Sequence, residues 1–304
     1  MSLLLALIIL AALFLISAAL VVLVVGPLIL LQPERRTKEW YRGKTDLLEP
    51  RDAGLPQEDV SITGHDGVLL KGWLVAQKRG KKTKGTILYL HGVGDCKTAG
   101  VAHARLFYKH GYNVLLYDSR AHGESGGTFC TYGYYEKHDV SSAIAFLQSK
   151  KGLKVGHIGV FGTSMGAAIA IQAAATENRI KTVVAEACFT DLRTISVDYQ
   201  RRIVKLPWHF LRNVAMGRSQ KIAGFRALDV SPVLAVRTLA IPLLFVHGTA
   251  DRLINYEYSK TLYHYANEPK EILLVPGGNH TDVWEIAGDK YENTILSFFA
   301  KNLR

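Results

Sequence analysis

Three cysteines in 304 residues, Cys96, Cys130 and Cys188, are too few and too widely spaced for a disulfide framework. No Cys-x-x-Cys pair and no Cys/His cluster with ligand spacing occurs, so no metal site is expected. The odd number of thiols fits a reducing compartment. No internal repeat is visible. The composition of disorder is missing too: 48% of residues are hydrophobic and 21% charged, an ordinary globular balance.

The most telling absence is of charge at the N-terminus. From Ser2 to Pro33 there is no ionisable side chain, and Leu3 to Leu31 is almost wholly Leu, Ile, Val, Ala and Phe. A bilayer span needs about 20 apolar residues, so Leu3 to Val25 suffices before Gly26-Pro27 disturbs the helix. A secretory signal peptide would begin with basic residues and carry a shorter apolar stretch. Here no Lys or Arg precedes the run, and Ser17-Ala18-Ala19 is a weak cleavage candidate. With no Cys nearby, a bacterial lipoprotein is unsupported. Residues 1–33 are therefore expected to be an uncleaved transmembrane anchor. Arg35, Arg36, Lys38, Arg42 and Lys44 all follow it, and the positive-inside rule then leaves the body of the chain in the cytoplasm.

What is present is an excess of base, 37 Lys and Arg against 26 Asp and Glu, for a net charge of +11. The densest run is Lys78, Arg79, Lys81, Lys82 and Lys84. A solvated hairpin loop is the plainer reading, and contact with anionic lipid headgroups the sharper one. No nucleic-acid-binding motif accompanies the charge, so nucleic acid is not expected as a partner.

Residues 34–57 are polar, hold Pro50 and Pro56, and read as a linker. Asp59 to Thr63 and Val68 to Val75 suit two strands joined through Asp66-Gly67, a hairpin signal. Strand candidates follow at Thr86–Leu90, Asn113–Tyr117, Val155–Phe161, Thr182–Ala187, Pro242–Val246 and Ile272–Val275. Between them, Ala99–His110, Tyr134–Lys150, Met165–Thr176, Tyr256–Asn267 and Trp284–Lys301 suit helices. Continuous apolar strands alternating with helices mean an α/β protein with a parallel sheet covered on both faces. One interval breaks this rhythm. Residues 191–239 separate two strands by far more than a crossover needs, and include a helical stretch from Ile203 to Met216 with Trp208 and Phe210. Such an insertion at the C-terminal sheet edge is expected to form a lid.

The chemistry signal is Gly162-Thr163-Ser164-Met165-Gly166. In this pattern the Ser occupies a sharp strand-to-helix turn, the glycines relieve crowding, and the following N–H points at an oxyanion. The pentapeptide alone is weak, for chance supplies about one match in ten chains of this composition. A second match, Gly123 to Gly127 around Ser125, does occur. Ser164 has an apolar strand before it and a helix after it, whereas Ser125 has loop on both sides, so Ser164 is the expected nucleophile.

Its partners should follow in the order acid, then His. Asp251 lies just past the run Ile241 to Gly248, at a strand's C-terminal end, with Asp191 as its rival; a helix N-cap is the ordinary role for either. His280 follows the last strand through Pro276-Gly277-Gly278-Asn279, whereas His264 falls inside a helical pattern. Asp251 and His280 are the expected acid and base. The second oxyanion donor should come from His91-Gly92-Val93-Gly94, which makes the N–H groups of Val93 and Met165 the expected pair. His91 itself suits a structural role.

Four segments together resemble the α/β-hydrolase superfamily over nearly all of residues 58–304. They are His91 to Gly94, Tyr117 to Ser125, the Ser164 elbow, and His247-Gly248-Thr249-Ala250-Asp251 with Gly278-Asn279-His280. The Asp118-x-Arg120-x-His122-Gly123-x-Ser125 segment is similar to a signature of the serine-aminopeptidase-like and Bem46-like subgroups, many of them N-terminally anchored. The resemblance implies eight strands, a helical lid and a cofactor-free hydrolase of esters, thioesters or amides. An esterase or thioesterase acting on a small-molecule or lipid-like acyl substrate is the leading expectation. A peptidase using the same residues, and a non-catalytic relative of the fold, are the alternatives.

Overall fold

Eight strands hydrogen-bond into a single sheet in the order β1-β2-β4-β3-β5-β6-β7-β8. The structure, a computed structural model, describes residues 2–78, 83–201 and 209–303. Arg79, Lys81 and Lys82 of the basic run, and Ile203 to Trp208 of the expected lid helix, lie outside the described residues. The strands are β1 (Glu58–Thr63), β2 (Leu69–Val75), β3 (Thr86–Leu90), β4 (Asn113–Tyr117), β5 (Ile158–Thr163), β6 (Ile180–Glu186), β7 (Leu243–Gly248) and β8 (Lys270–Val275). The β1–β2 hairpin is antiparallel and β2 runs antiparallel to β4; every other pairing is parallel. This is the α/β-hydrolase fold that the four segments imply.

Period-2 alternation along the strands divides the core in two. Ile87 and Tyr89 of β3 join one buried cluster, with Val114 and Leu116 of β4; Leu88, Leu90, Leu115 and Tyr117 join the other. Both faces are covered, which is why these strands are apolar throughout. Of the main helices, α1 is Leu3–Leu31, α2 Val101–Lys109, α3 Glu136–Ser149, α4 Met165–Ala174, α5 Leu192–Tyr199, α6 His209–Ala223, α7 Glu257–Tyr265, α8 Val283–Ala287 and α9 Asp289–Asn302. Helices α3 and α4 cover one face, α2 and α9 the other. The helical pattern expected over Trp284–Lys301 is broken at Gly288, where φ is 49°, a value that suits glycine.

Helix α1 is long and apolar enough to cross a membrane, and none of its most apolar stretch is buried. It does not stop at Gly26. The disturbance from Pro27 shows as a π-turn over Val21–Val25, after which the helix resumes to Leu31. A proline cannot donate to the carbonyl four residues back and its ring crowds that carbonyl, and the wider turn absorbs both effects. Leu31 is fully buried, and its carbonyl accepts from Cys130 N. Residues 34–57 then run over the domain: the Arg35 guanidinium donates to the carbonyls of Ser125 and Gly127, Tyr41 hydrogen-bonds Asp95, and Leu55 is buried.

Strand order reverses about β3, whose neighbours β4 and β5 lie on opposite sides of it. In open α/β sheets ligands bind in the crevice at such a switch point, beyond the strands' C-terminal ends. The loops leaving β3 and β5 flank that crevice, and those after β6, β7 and β8 lie beside it.

Candidate active site

Ser164 takes φ 54° and ψ −115°, an unfavourable region for any side chain. It holds there because its neighbours leave no alternative. A Cβ on Gly162 would meet the carbonyl oxygen of Gly166 at 2.3 Å, and one on Gly166 would meet that of Leu90 at 2.1 Å. Only glycine at both positions lets α4 start this close to β3. The Ser164 N–H donates to the carbonyl of Glu186 at 2.8 Å, tying the turn to the end of β6. The side chain is thereby lifted out of the sheet edge, ahead of the N-terminus of α4.

The two oxyanion candidates lie in this turn and in the loop after β3. Met165 is the first residue of α4, where an N–H has no acceptor within the helix. In the β3 loop, a Cβ on Gly92 would lie 3.5 Å from Ser164 Cβ, so this backbone passes directly beside the serine. His91 holds the loop. Its Nε2 accepts from the Ser119 N–H at 2.9 Å, which leaves the proton on Nδ1 to donate to the Gly92 carbonyl at 2.8 Å. That makes His91 the structural residue it is expected to be.

Asp251 and His280 meet at the other side of the edge, with His280 Nδ1 2.7 Å from Asp251 Oδ2. Since a carboxylate only accepts, the proton is on Nδ1 and Nε2 carries the free lone pair. Asp251 Oδ1 accepts from the N–H groups of Leu253 and Ile254, both at 2.8 Å. Oδ2 also faces His247 Nε2 at 3.2 Å, and the same nitrogen lies 3.1 Å from the Ile254 carbonyl. Two acceptors on one nitrogen place the His247 proton there, so Ser259 Oγ, 2.6 Å from Nδ1, is the donor to that side. Burial works to raise the pKa of Asp251, but the bonds from His247 and His280 outweigh it. The carboxyl is held well below its ordinary range.

The Asp118–Ser125 segment is scaffold. Asp118 accepts from Lys97 N and Nζ and from Glu124 N, and Arg120 pairs with Asp66 and Asp139. A Cβ on Gly123 would fall 2.3 Å from the Asp118 carboxyl carbon, which accounts for the glycine. Ser125 Oγ donates to the Asp118 carbonyl at 2.6 Å and accepts from Lys71 N at 2.9 Å. Both of its hydrogen-bonding roles are occupied, so the second Gly-x-Ser-x-Gly match has a structural explanation. Asp191 is the N-cap of α5, accepting from Thr194 N, and His264 lies in α7.

Sequence reasoning missed His247 and Glu186. Glu186 ends β6, is buried, and accepts from the Tyr291 hydroxyl at 2.5 Å; that hydroxyl lies 3.0 Å from His103 Nε2. Burial first, and the Asp251 charge with it, push the Glu186 carboxyl up to about 7, against the Tyr291 hydrogen bond and the His280 charge. Tyr199 of α5 is likewise raised, by burial first and then by the charge of Asp251. The β6–β7 insertion is also tied to α7, where the Tyr258 hydroxyl donates to Asp198 Oδ2 at 2.7 Å.

The family model for X-Pro dipeptidyl-peptidase (S15 family) matches residues 66–221, over half of the chain. The chain is an α/β hydrolase of this family. YqkD of Bacillus subtilis is 30% identical over 243 residues, covering 78% of this chain and 76% of that one. Among solved structures, the esterase Pf2001 of Pyrococcus furiosus is 25% identical, with a TM-score of 0.73, covering 90% of this chain and 99% of that one. An acylaminoacyl peptidase shares the fold at 18% identity and a TM-score of 0.63, covering 82% of this hydrolase and 42% of the peptidase.

Proposed function

We propose that this α/β hydrolase cleaves a carboxylic ester or thioester through an acyl-enzyme, with Ser164 as nucleophile, His280 as base and Asp251 as its acid. The observation that carries the reading is the strained Ser164 elbow sharing one sheet edge with a His280 whose Nδ1–H is already committed to Asp251. That commitment leaves Nε2 basic. The Ser164 hydroxyl gives its proton to Nε2 as Oγ attacks the acyl carbon, and the imidazolium returns the proton to the leaving group. Water then repeats the sequence on the acyl-enzyme. The Val93 and Met165 N–H groups face the oxyanion, where one such donor contributes about 3 kcal/mol. No step calls for a cofactor.

Similarity to an esterase over nine-tenths of the chain favours esters, while the description of the matching family favours peptides. The β6–β7 insertion serves as the lid, and α1 as a membrane anchor with the body on the cytoplasmic side. Substrate is accordingly a lipid-like or acylated molecule. Turnover of p-nitrophenyl esters of graded chain length, compared with aminoacyl-anilides, tests this on the full chain in detergent. Esters should lead, with preference rising with chain length. Faster cleavage of the anilides makes the hydrolase a peptidase, and preference for short soluble esters removes the lipid-like substrate.

A further inference from the structure

Helix α6 lies against the C-terminal third of α1. The close approach is at Gly26, where a Cβ would come 3.6 Å from Ala215 Cβ. At 1.5 Å per residue the 29 residues of α1 reach about 43 Å, against a hydrocarbon core of about 30 Å. With Leu3 at one face of the core, the last turns up to Leu31 emerge among the headgroups at the other. Helix α6, packed on those turns, then lies at headgroup level.

Between α5 and α6 is a cavity of about 360 Å³, lined by Asp191, Arg193, Thr194, Arg212, Asn213 and Met216 among others. That volume is at the small end of small-molecule sites. Its polar chemistry is one-sided. Asp191 spends its carboxylate on Thr194 N and Oγ1. Among the described residues no carboxylate forms an ion pair with Arg193, Arg201 or Arg212. Among the described residues Arg212 donates to the Asn213 side-chain oxygen and approaches His209. Its pKa is lowered, by partial burial first and then by the charges of Arg193 and Arg201. Repulsion of this kind is relieved by a bound anion, and guanidinium groups suit phosphate oxygens. Phe210, 73% exposed, projects from the same helix. An aromatic beside arginines is the composition of a membrane-interface anchor.

We infer that the cavity between α5 and α6 binds the phosphate of an anionic phospholipid headgroup through Arg193 and Arg212, and so fastens the insertion to the bilayer surface. This rests on the anchor reading of α1. Occupied, the site steadies α5 and orients the lid towards substrate held in the membrane.

The test uses the full chain in nanodiscs of phosphatidylcholine alone or with one quarter phosphatidylglycerol, and a bilayer-partitioned fluorogenic ester. Phosphatidylglycerol should raise kcat/KM about tenfold, and the R193Q/R212Q double variant should lose that response. Turnover of a short soluble ester should be the same in both proteins, which shows that the variant folds. The R193K/R212K variant should keep part of the response. A double variant that responds as wild type does, or inorganic phosphate replacing phosphatidylglycerol, overturns the lipid site. Alkaline carbonate extraction of the same nanodisc lipids, reformed as vesicles, reads the anchor separately. Release of the wild type overturns the anchor and the lipid site with it, whereas retention without a phosphatidylglycerol response overturns the arginine site alone.

Discussion

His247 donates to Asp251 Oδ2, the same carboxylate oxygen that receives His280. The proposed acid is therefore clamped from behind, by a buried imidazole whose far side is fixed by Ser259. A hydrogen bond to a charged group is worth about 2 kcal/mol, so the His247→Leu variant should lose about tenfold or more in kcat with KM little changed. Steady-state kinetics on a p-nitrophenyl ester check it. The variant should also lose stability at higher pH in acid. The depressed Asp251 pKa stabilises the fold above the ordinary aspartate range, and that contribution disappears as pH falls through the folded value. Removing a donor raises that value, so an acid titration followed by circular dichroism should shift upward.

Strain at Ser164 predicts a stability gain from destroying the site. Ser164→Gly should raise Tm over wild type, because glycine reaches φ 54° without a Cβ penalty of about 1 kcal/mol. Ser164→Ala keeps the Cβ and should not. Calorimetry on the pair separates backbone strain from the loss of the hydroxyl.

Gly166 has no such freedom. An Ala methyl there would fall 2.1 Å from the Leu90 carbonyl oxygen, so Gly166→Ala should cost about 3 kcal/mol or more and displace the loop after β3. The urea midpoint and the activity, measured on the same sample, should fall together.

Glu186 gives the hydrolase a pH signature. Its carboxyl titrates near 7 in the folded protein and near 4.5 when unfolded. As pH rises between those values the unfolded chain releases its proton first, so folding weakens across that window. Glu186→Gln removes this contribution: its Tm should match wild type at about pH 4 and exceed it at about pH 8. An equal difference at both pH values would contradict the assignment.

The strands, the elbow and the Asp251–His280 pair were legible because each is a local pattern at a strand end. Thr86–Leu90 and Asn113–Tyr117 match their expected bounds, since apolar runs between turn residues define both ends. His247 and Glu186 were not legible. Each sits in an apolar strand and is held by a partner outside it, His247 by Ser259 on its far nitrogen and Glu186 by the Tyr291 hydroxyl. The break at Gly288 was hidden inside an unbroken helical period, and the π-turn because a proline's effect on the preceding turn depends on what packs there. The docking of residues 34–57 follows from contacts to Asp95, Ser125 and Gly127, which no local composition announces.

The central claim is that Ser164 is the nucleophile, and a fluorophosphonate probe tests it most directly. Intact-mass and peptide spectrometry should find one adduct, on Ser164, in the wild type and none in Ser164→Ala, with labelling much slowed in His280→Ala. Undiminished labelling of Ser164→Ala, or an adduct on another serine of the wild type, would contradict the account.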